Sequence, residues 1–281
     1  MKKMLLLAAM ACAVAACSED EKRDEIITSE DDFLTVELSF TPYTVEPVTR
    51  AVTGIADVVT RLDVWLYENG SEVAAFHQAA GDTGFGSLAV TLNKTKTYTL
   101  YAVGHRAGSA ATLADGIITF PDDRVTHSMY YTTTFTPGST TALACLMERI
   151  VAAFRLETTD VVPSDADRIV VTFSNVFNRW SVTAGGVNPV NSQSTVNLTS
   201  VRPDGTVACT TYAIVTNAQT QHDITVTALD SDGNTLQERT FNDVPLRNGY
   251  RTTYRGVYFT DTDQTATFSI GEWQEYDVIE F

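Results

Sequence analysis

Two turn signals constrain this chain more than any other feature. Asn69-Gly70 stands between Arg61–Tyr67 (RLDVWLY) and Val73–Phe76. Asp230-Ser231-Asp232-Gly233-Asn234 stands between His222–Leu229 and Thr235–Phe241. Asn, Asp and Gly accept positive φ, so the alternating runs on either side are expected to return antiparallel as hairpins. The same period of two recurs along the chain. Leu34, Val36 and Leu38 share one face of Phe33–Phe40, and Leu62, Val64 and Leu66 share one face of Arg61–Tyr67. Further strands are expected at Ser87–Leu92, Thr97–Val103, Gly116–Phe120, Arg168–Phe173, Thr195–Thr199, Thr206–Val215, Tyr250–Phe259, Thr265–Ile270 and Trp273–Phe281. Ala142–Glu157 fits either period, and its run of Ile150, Val151 and Phe154 before Thr158-Thr159 favours strand. No amphipathic helix of ordinary length is visible. Many short strands at close spacing predict an all-β sandwich or barrel.

The first residues read as an address. Lys2 and Lys3 precede an apolar run, Met4–Ala16, that ends Val14-Ala15-Ala16-Cys17. That run is shorter than the ~20 apolar residues a bilayer span needs. A charged start and small residues before a cut site describe an export signal over residues 1–16. Small residues directly before cysteine form a bacterial lipobox, which makes Cys17 the lipidated first residue of the mature chain, held in the outer membrane by its acyl chains. Residues 17–32 are polar and acidic and read as a tether.

The balance of 19 Lys+Arg against 35 Asp+Glu, a formal net charge of −16, argues against nucleic acid as a partner. The chain carries no GxSxG, HExxH, P-loop or GxGxxG motif. His77, His105, His127 and His222 are scattered and read as exposed turn residues rather than bases. The Asp230–Asn234 stretch has its glycine in the fourth place, so it reads as a turn and not as a calcium loop. No cofactor or metal is expected, and no enzymatic activity. Cys145 and Cys209 either bridge in the oxidising exterior or stay buried as separate thiols; spacing leaves both open. Trp65, Trp180 and Trp273 would serve a sugar-binding surface only if exposed together.

The order of several stretches resembles a known family. The lipobox and its acidic run Ser18-Glu19-Asp20-Glu21-Lys22 lead to a strand, then to Thr49-Arg50-Ala51. A second half opens with Met147–Phe154 (MERIVAAF) and Thr158–Pro163 (TTDVVP), and ends with Val244–Asn248 (VPLRN) and Arg251–Gly256 (RTTYRG). Together these are similar to the fimbrillin superfamily of Bacteroidales, which includes type V pilus subunits and fimbrial anchors. The resemblance implies two tandem transthyretin-like β-sandwich domains, over residues 33–140 and 141–281 after the tether. It implies a lipoprotein precursor cut after an arginine behind the first strand, here between Arg50 and Ala51. Removing the strand that carries Phe33, Leu34, Val36, Leu38 and Phe40 would open a groove for a neighbour's extended segment. Val278-Ile279-Glu280-Phe281 is a candidate donor, or else the last strand of its own domain. The implied partners are other fimbrial subunits, the outer membrane through the lipid, and host or bacterial surface ligands. The expected place is the cell surface. A lipid-retained fimbrial anchor and a surface glycan-binding lipoprotein are the alternatives.

Overall fold

The computed structural model describes residues 32–43, 54–198, 204–260 and 268–272. Nearly all of its regular structure is strand, 64% against 4% helix. β1 (Phe33–Pro42) is followed by one helical turn, α1 (Ile55–Val58), and then β2 (Arg61–Glu68), β3 (Ser71–Ala79), β4 (Ser87–Asn93) and β5 (Tyr98–His105). A small hairpin, β6 (Thr112–Ala114) and β7 (Ile117–Thr119), precedes β8 (Met129–Phe135) and β9 (Ala142–Arg149). The remainder is β10 (Ala152–Thr158), β11 (Ala166–Ser181), β12 (Gly185–Asn197), β13 (Ala208–Ala213), β14 (Thr220–Asp230), β15 (Thr235–Leu246), β16 (Tyr250–Gly256) and β17 (Phe268–Glu272).

Both turn signals form the hairpins they predict. Asn69 and Gly70 take φ of 49° and 80° between β2 and β3, and Gly233 takes 88° between β14 and β15. Ala142–Glu157 is strand throughout except at Ile150-Val151, where the chain turns from β9 into β10. β8 forms in a stretch with no expected strand. Its Met129 and Tyr130 are buried, but the threonines that follow blur the period. β11 outruns its expected length because a bulge between Phe173 and Val176 lets the strand bend and continue.

The sheets pack as sandwiches. One seven-stranded sheet runs in the order β3-β2-β5-β8-β9-β1-β4, and only Met129 and Tyr130 of β8 meet β9, at Arg149 and Glu148. The sheet folds at that thin joint. Leu62, Val64 and Leu66 of β2 then pack in one core with Val36, Leu38 and Phe40 of β1, Val90 and Leu92 of β4, and Met147 of β9. The second sandwich pairs β13-β10-β16-β17 with β15-β14-β11-β7-β6, β12 lying on β11. Phe154, Phe173, Phe241 and Tyr254 fill its core.

The two sandwiches share a plan. β1 lies between β4, antiparallel, and β9, parallel; β10 lies between β13, antiparallel, and β16, parallel. In each, the opening strand runs alongside a late one, so the intervening strands serve as the long crossover that a parallel pair requires. The chain passes from the sheet of β9 to the sheet of β10 at Ile150-Val151. The β6–β7 hairpin comes earlier in the chain yet pairs with β11 of the second sandwich, Thr119 to Ile117 against Arg179 to Ser181. A third buried cluster fills the seam: Trp65, Val103, Ile118, Phe120, Ile150, Val151, Tyr212 and Ile214.

Candidate functional site

Two places on this framework have functional character: the seat of β1, and a cleft beside the seam.

β1 supplies an alternating wedge. Val36, Leu38 and Phe40 are buried, while Thr35, Glu37 and Ser39 face outward. Leu34 is half-buried, and Phe33 points to the outer face. The strand is held on both edges. Phe33–Ser39 pairs with Asn93–Ser87, and Glu37–Pro42 pairs with Ala142–Met147. Gly86 sits against it with φ +86°, and its carbonyl accepts from Phe40 N–H at 2.8 Å. A Cβ there would stand 2.4 Å from Ile55 Cγ2, which is why this corner needs glycine. Cys145 lies opposite Phe40 in the ladder and is a free, buried thiol, pushed up to about 12 by burial. Cys209 is likewise free, buried and raised to about 12, in the core of the other sandwich. The two cysteines are therefore separate thiols in separate cores, and no bridge joins them. Cys17, Arg50, Ala51, Trp273 and Val278–Phe281 lie outside the described residues.

The histidines are not turn residues of one kind: His105 and His127 are fully buried, His77 is exposed but lies within β3, and His222 is half-buried within β14. The cause is that β2 is covered on both faces. Its alternation turns Leu62, Val64 and Leu66 to one core and leaves Asp63 and Trp65 for the seam, where both are buried. A carboxylate so placed needs partners. Asp63 Oδ1 takes His77 Nδ1 at 2.7 Å; Oδ2 takes His105 Nε2 at 2.8 Å and Ala111 N–H at 2.8 Å. His105 Nδ1 accepts from Ala107 N–H at 3.1 Å, which leaves its Nε2 to donate to Asp63. Arg61 Nη2 donates to Gly108 O at 2.6 Å. The loop 106–111 is thereby tied down at both ends by β2.

That loop is one wall of a cleft of about 230 Å³. The other walls are segment 121–126, residues 194–196 of β12 and residues 209–212 of β13. The rim at Pro121–Asp123 is a 3₁₀ turn in which Asp122 and Asp123 hold φ of 56° and 51°. Left-handed backbone at two adjacent non-glycine residues costs on the order of 1 kcal/mol each. Asp123 N–H to Phe120 O and Arg124 N–H to Pro121 O hold the turn in place. Arg106 is fixed by Nε to Val58 O at 2.7 Å and Nη2 to Asp57 O at 3.1 Å. Behind the wall, His127 stacks on Tyr212 at 5.7 Å. Burial first, then the positive charges of Arg149 and Arg106, hold His127 well below the ordinary histidine value. Among the described residues, no group of three or more His, Cys, Asp or Glu is arranged to hold a metal. Trp65 and Trp180 both pack in the seam, so they form no exposed aromatic platform.

Sequence relationships agree with this architecture. A model of a family of unknown function, DUF6562, matches residues 122–278, more than half of the chain. The chain belongs to that family. The matched stretch takes in β10 to β17 of the second sandwich and the cleft segment from Asp122, but not β6, β7 or β1. Among curated proteins, no sequence matches. Solved structures of Bacteroides proteins do. A candidate adhesin from Bacteroides thetaiotaomicron superposes with a TM-score of 0.51 at 11% identity, over 86% of this chain and 97% of that one. A candidate polysaccharide-binding protein from the same organism gives 0.51 at 10%, over 87% and 100%. The fimbrial anchor protein Mfa2 from Porphyromonas gingivalis superposes more loosely, with a TM-score of 0.45 at 14% identity over 86% and 98%. At such identities the first two establish a shared fold for this DUF6562 chain.

Proposed function

We propose that this protein is a non-enzymatic, cell-surface adhesion protein of fimbrial type, exported as a lipoprotein and joined to its neighbours by exchange of β1. The observation that carries the reading is the seat of β1. One strand supplies Val36, Leu38 and Phe40 to a core and is hydrogen-bonded on both edges, and residues 44–53 with Arg50 follow it directly. Cutting after Arg50 would free the strand and leave an apolar groove between β4 and β9. An extended segment of a neighbour would then restore the two ladders, with backbone bonds giving affinity and alternate side chains giving register. The family-like order of motifs in the sequence and the fold shared with a candidate adhesin support the same reading.

Intact-mass and N-terminal analysis of the chain from its native cell surface tests this. A chain beginning at Ala51 is the expected form of a polymerising subunit. A chain beginning at acylated Cys17 identifies a lipid-retained anchor and removes strand exchange at this groove. A version lacking residues 17–50 is expected to form oligomers in size-exclusion chromatography, and a strict monomer at high concentration would count against exchange.

A further inference from the structure

We infer that the cleft between loop 106–108, segment 121–126, β12 and β13 binds the carboxylated ring of an acidic sugar, a uronic or sialic acid unit at the end of a glycan. This deepens the adhesion part of the proposed function and does not depend on strand exchange.

Charge is the first argument. The chain has a formal net charge of −16, yet the cleft carries Arg106 and Arg124 against one acid, Asp122. The guanidinium of Arg124 is exposed, and no hydrogen bond or ion pair engages it among the described residues. Arg106 is fixed by the Val58 and Asp57 carbonyls, so its position is set before a ligand arrives. A planar guanidinium meets a carboxylate with two parallel N–H donors, the strongest such pairing a side chain offers.

The walls supply the second. Thr126, Thr195 and Thr210 stand along the cleft. Tyr212 adds a ring to the lining. Hydroxyl donors and acceptors, one aromatic wall and a cationic mouth together match a polyhydroxylated ring with a carboxylate. The volume, about 230 Å³, is below the usual range for drug-sized ligands and suits one terminal ring rather than a chain of them.

The test is calorimetric or NMR titration of the purified full chain with glucuronate, N-acetylneuraminate, glucose and acetate. The acidic sugars are expected to saturate the protein at millimolar concentration, and the tighter of the two names the source. Glucose and acetate are each expected to bind about tenfold more weakly or not at all, since each lacks half of the contacts. Arg124→Ala is expected to lose about tenfold in affinity with an unchanged circular dichroism spectrum, and Arg124→Lys to recover only part, because it lacks the planar fork. Thr210→Val should weaken the sugars but not acetate. The inference fails if neither acidic sugar saturates the folded protein, if acetate binds as tightly as the sugars, or if Arg124→Ala leaves affinity unchanged. Loss of oligomer formation in the exchange experiment would leave this result untouched.

Discussion

Asp63 shows how a single position can be misread from its neighbours. RLDVWLY alternates, and alternation suggests one wet face, but the seam covers that face as well. The carboxylate is consequently the hub for His77, His105 and Ala111 N–H. Asp63→Ala leaves a buried imidazole N–H and a buried amide unpaired, so a loss of about 2–4 kcal/mol is expected in urea unfolding. His127 belongs to the same seam and gives a pH dependence. Its proton affinity is lowered in the folded state by burial, so the unfolded chain binds the proton more readily. Stability contributed by the neutral imidazole is present above the ordinary value near 6.5 and falls as pH drops below it. Urea midpoints measured at pH 7.5 and pH 5 should show that decline, and His127→Gln should lessen it. Neither histidine role was legible in the sequence, because burial there depends on which sheet happens to lie opposite.

Among the strands, those joined by local turns were readable and those joined at a distance were not. Asn69-Gly70 and Gly233 demand positive φ, a requirement fixed within a few residues, and both hairpins follow from it. The apolar face of β1 was equally plain. Its neighbours were not, since β9 joins it from about a hundred residues away. β4 also runs to β1 and not to β5, the next strand in the chain. The cleft was illegible for the same reason, being assembled from four separate stretches. Two expectations rest on the β1 corner. Leu38→Ala, at a site with no exposure, should cost about 2–5 kcal/mol of unfolding free energy. Gly86→Ala combines left-handed backbone with a Cβ pressed on Ile55 and should cost on the order of 2 kcal/mol by the same measurement.

For the molecule as a whole, the seam decides how the halves behave. The β6–β7 hairpin reaches across to β11, and the third apolar cluster draws residues from β2, β5, β10 and β13. Separating the sandwiches would expose Trp65, Ile118 and Ile214 together. Calorimetry of the full chain is therefore expected to give one transition, with calorimetric and van't Hoff enthalpies equal. Two resolved transitions would mean that the seam does not couple the halves. The opposed neighbours of β1 carry one further consequence. A strand that takes its place and keeps both ladders must run the same way along β9 and the opposite way along β4. Every subunit added through that slot would then face the same direction. A filament so built has a front and a back that differ chemically: one end offers an empty slot and the other an unused strand, so growth and attachment to the cell are tasks for opposite ends.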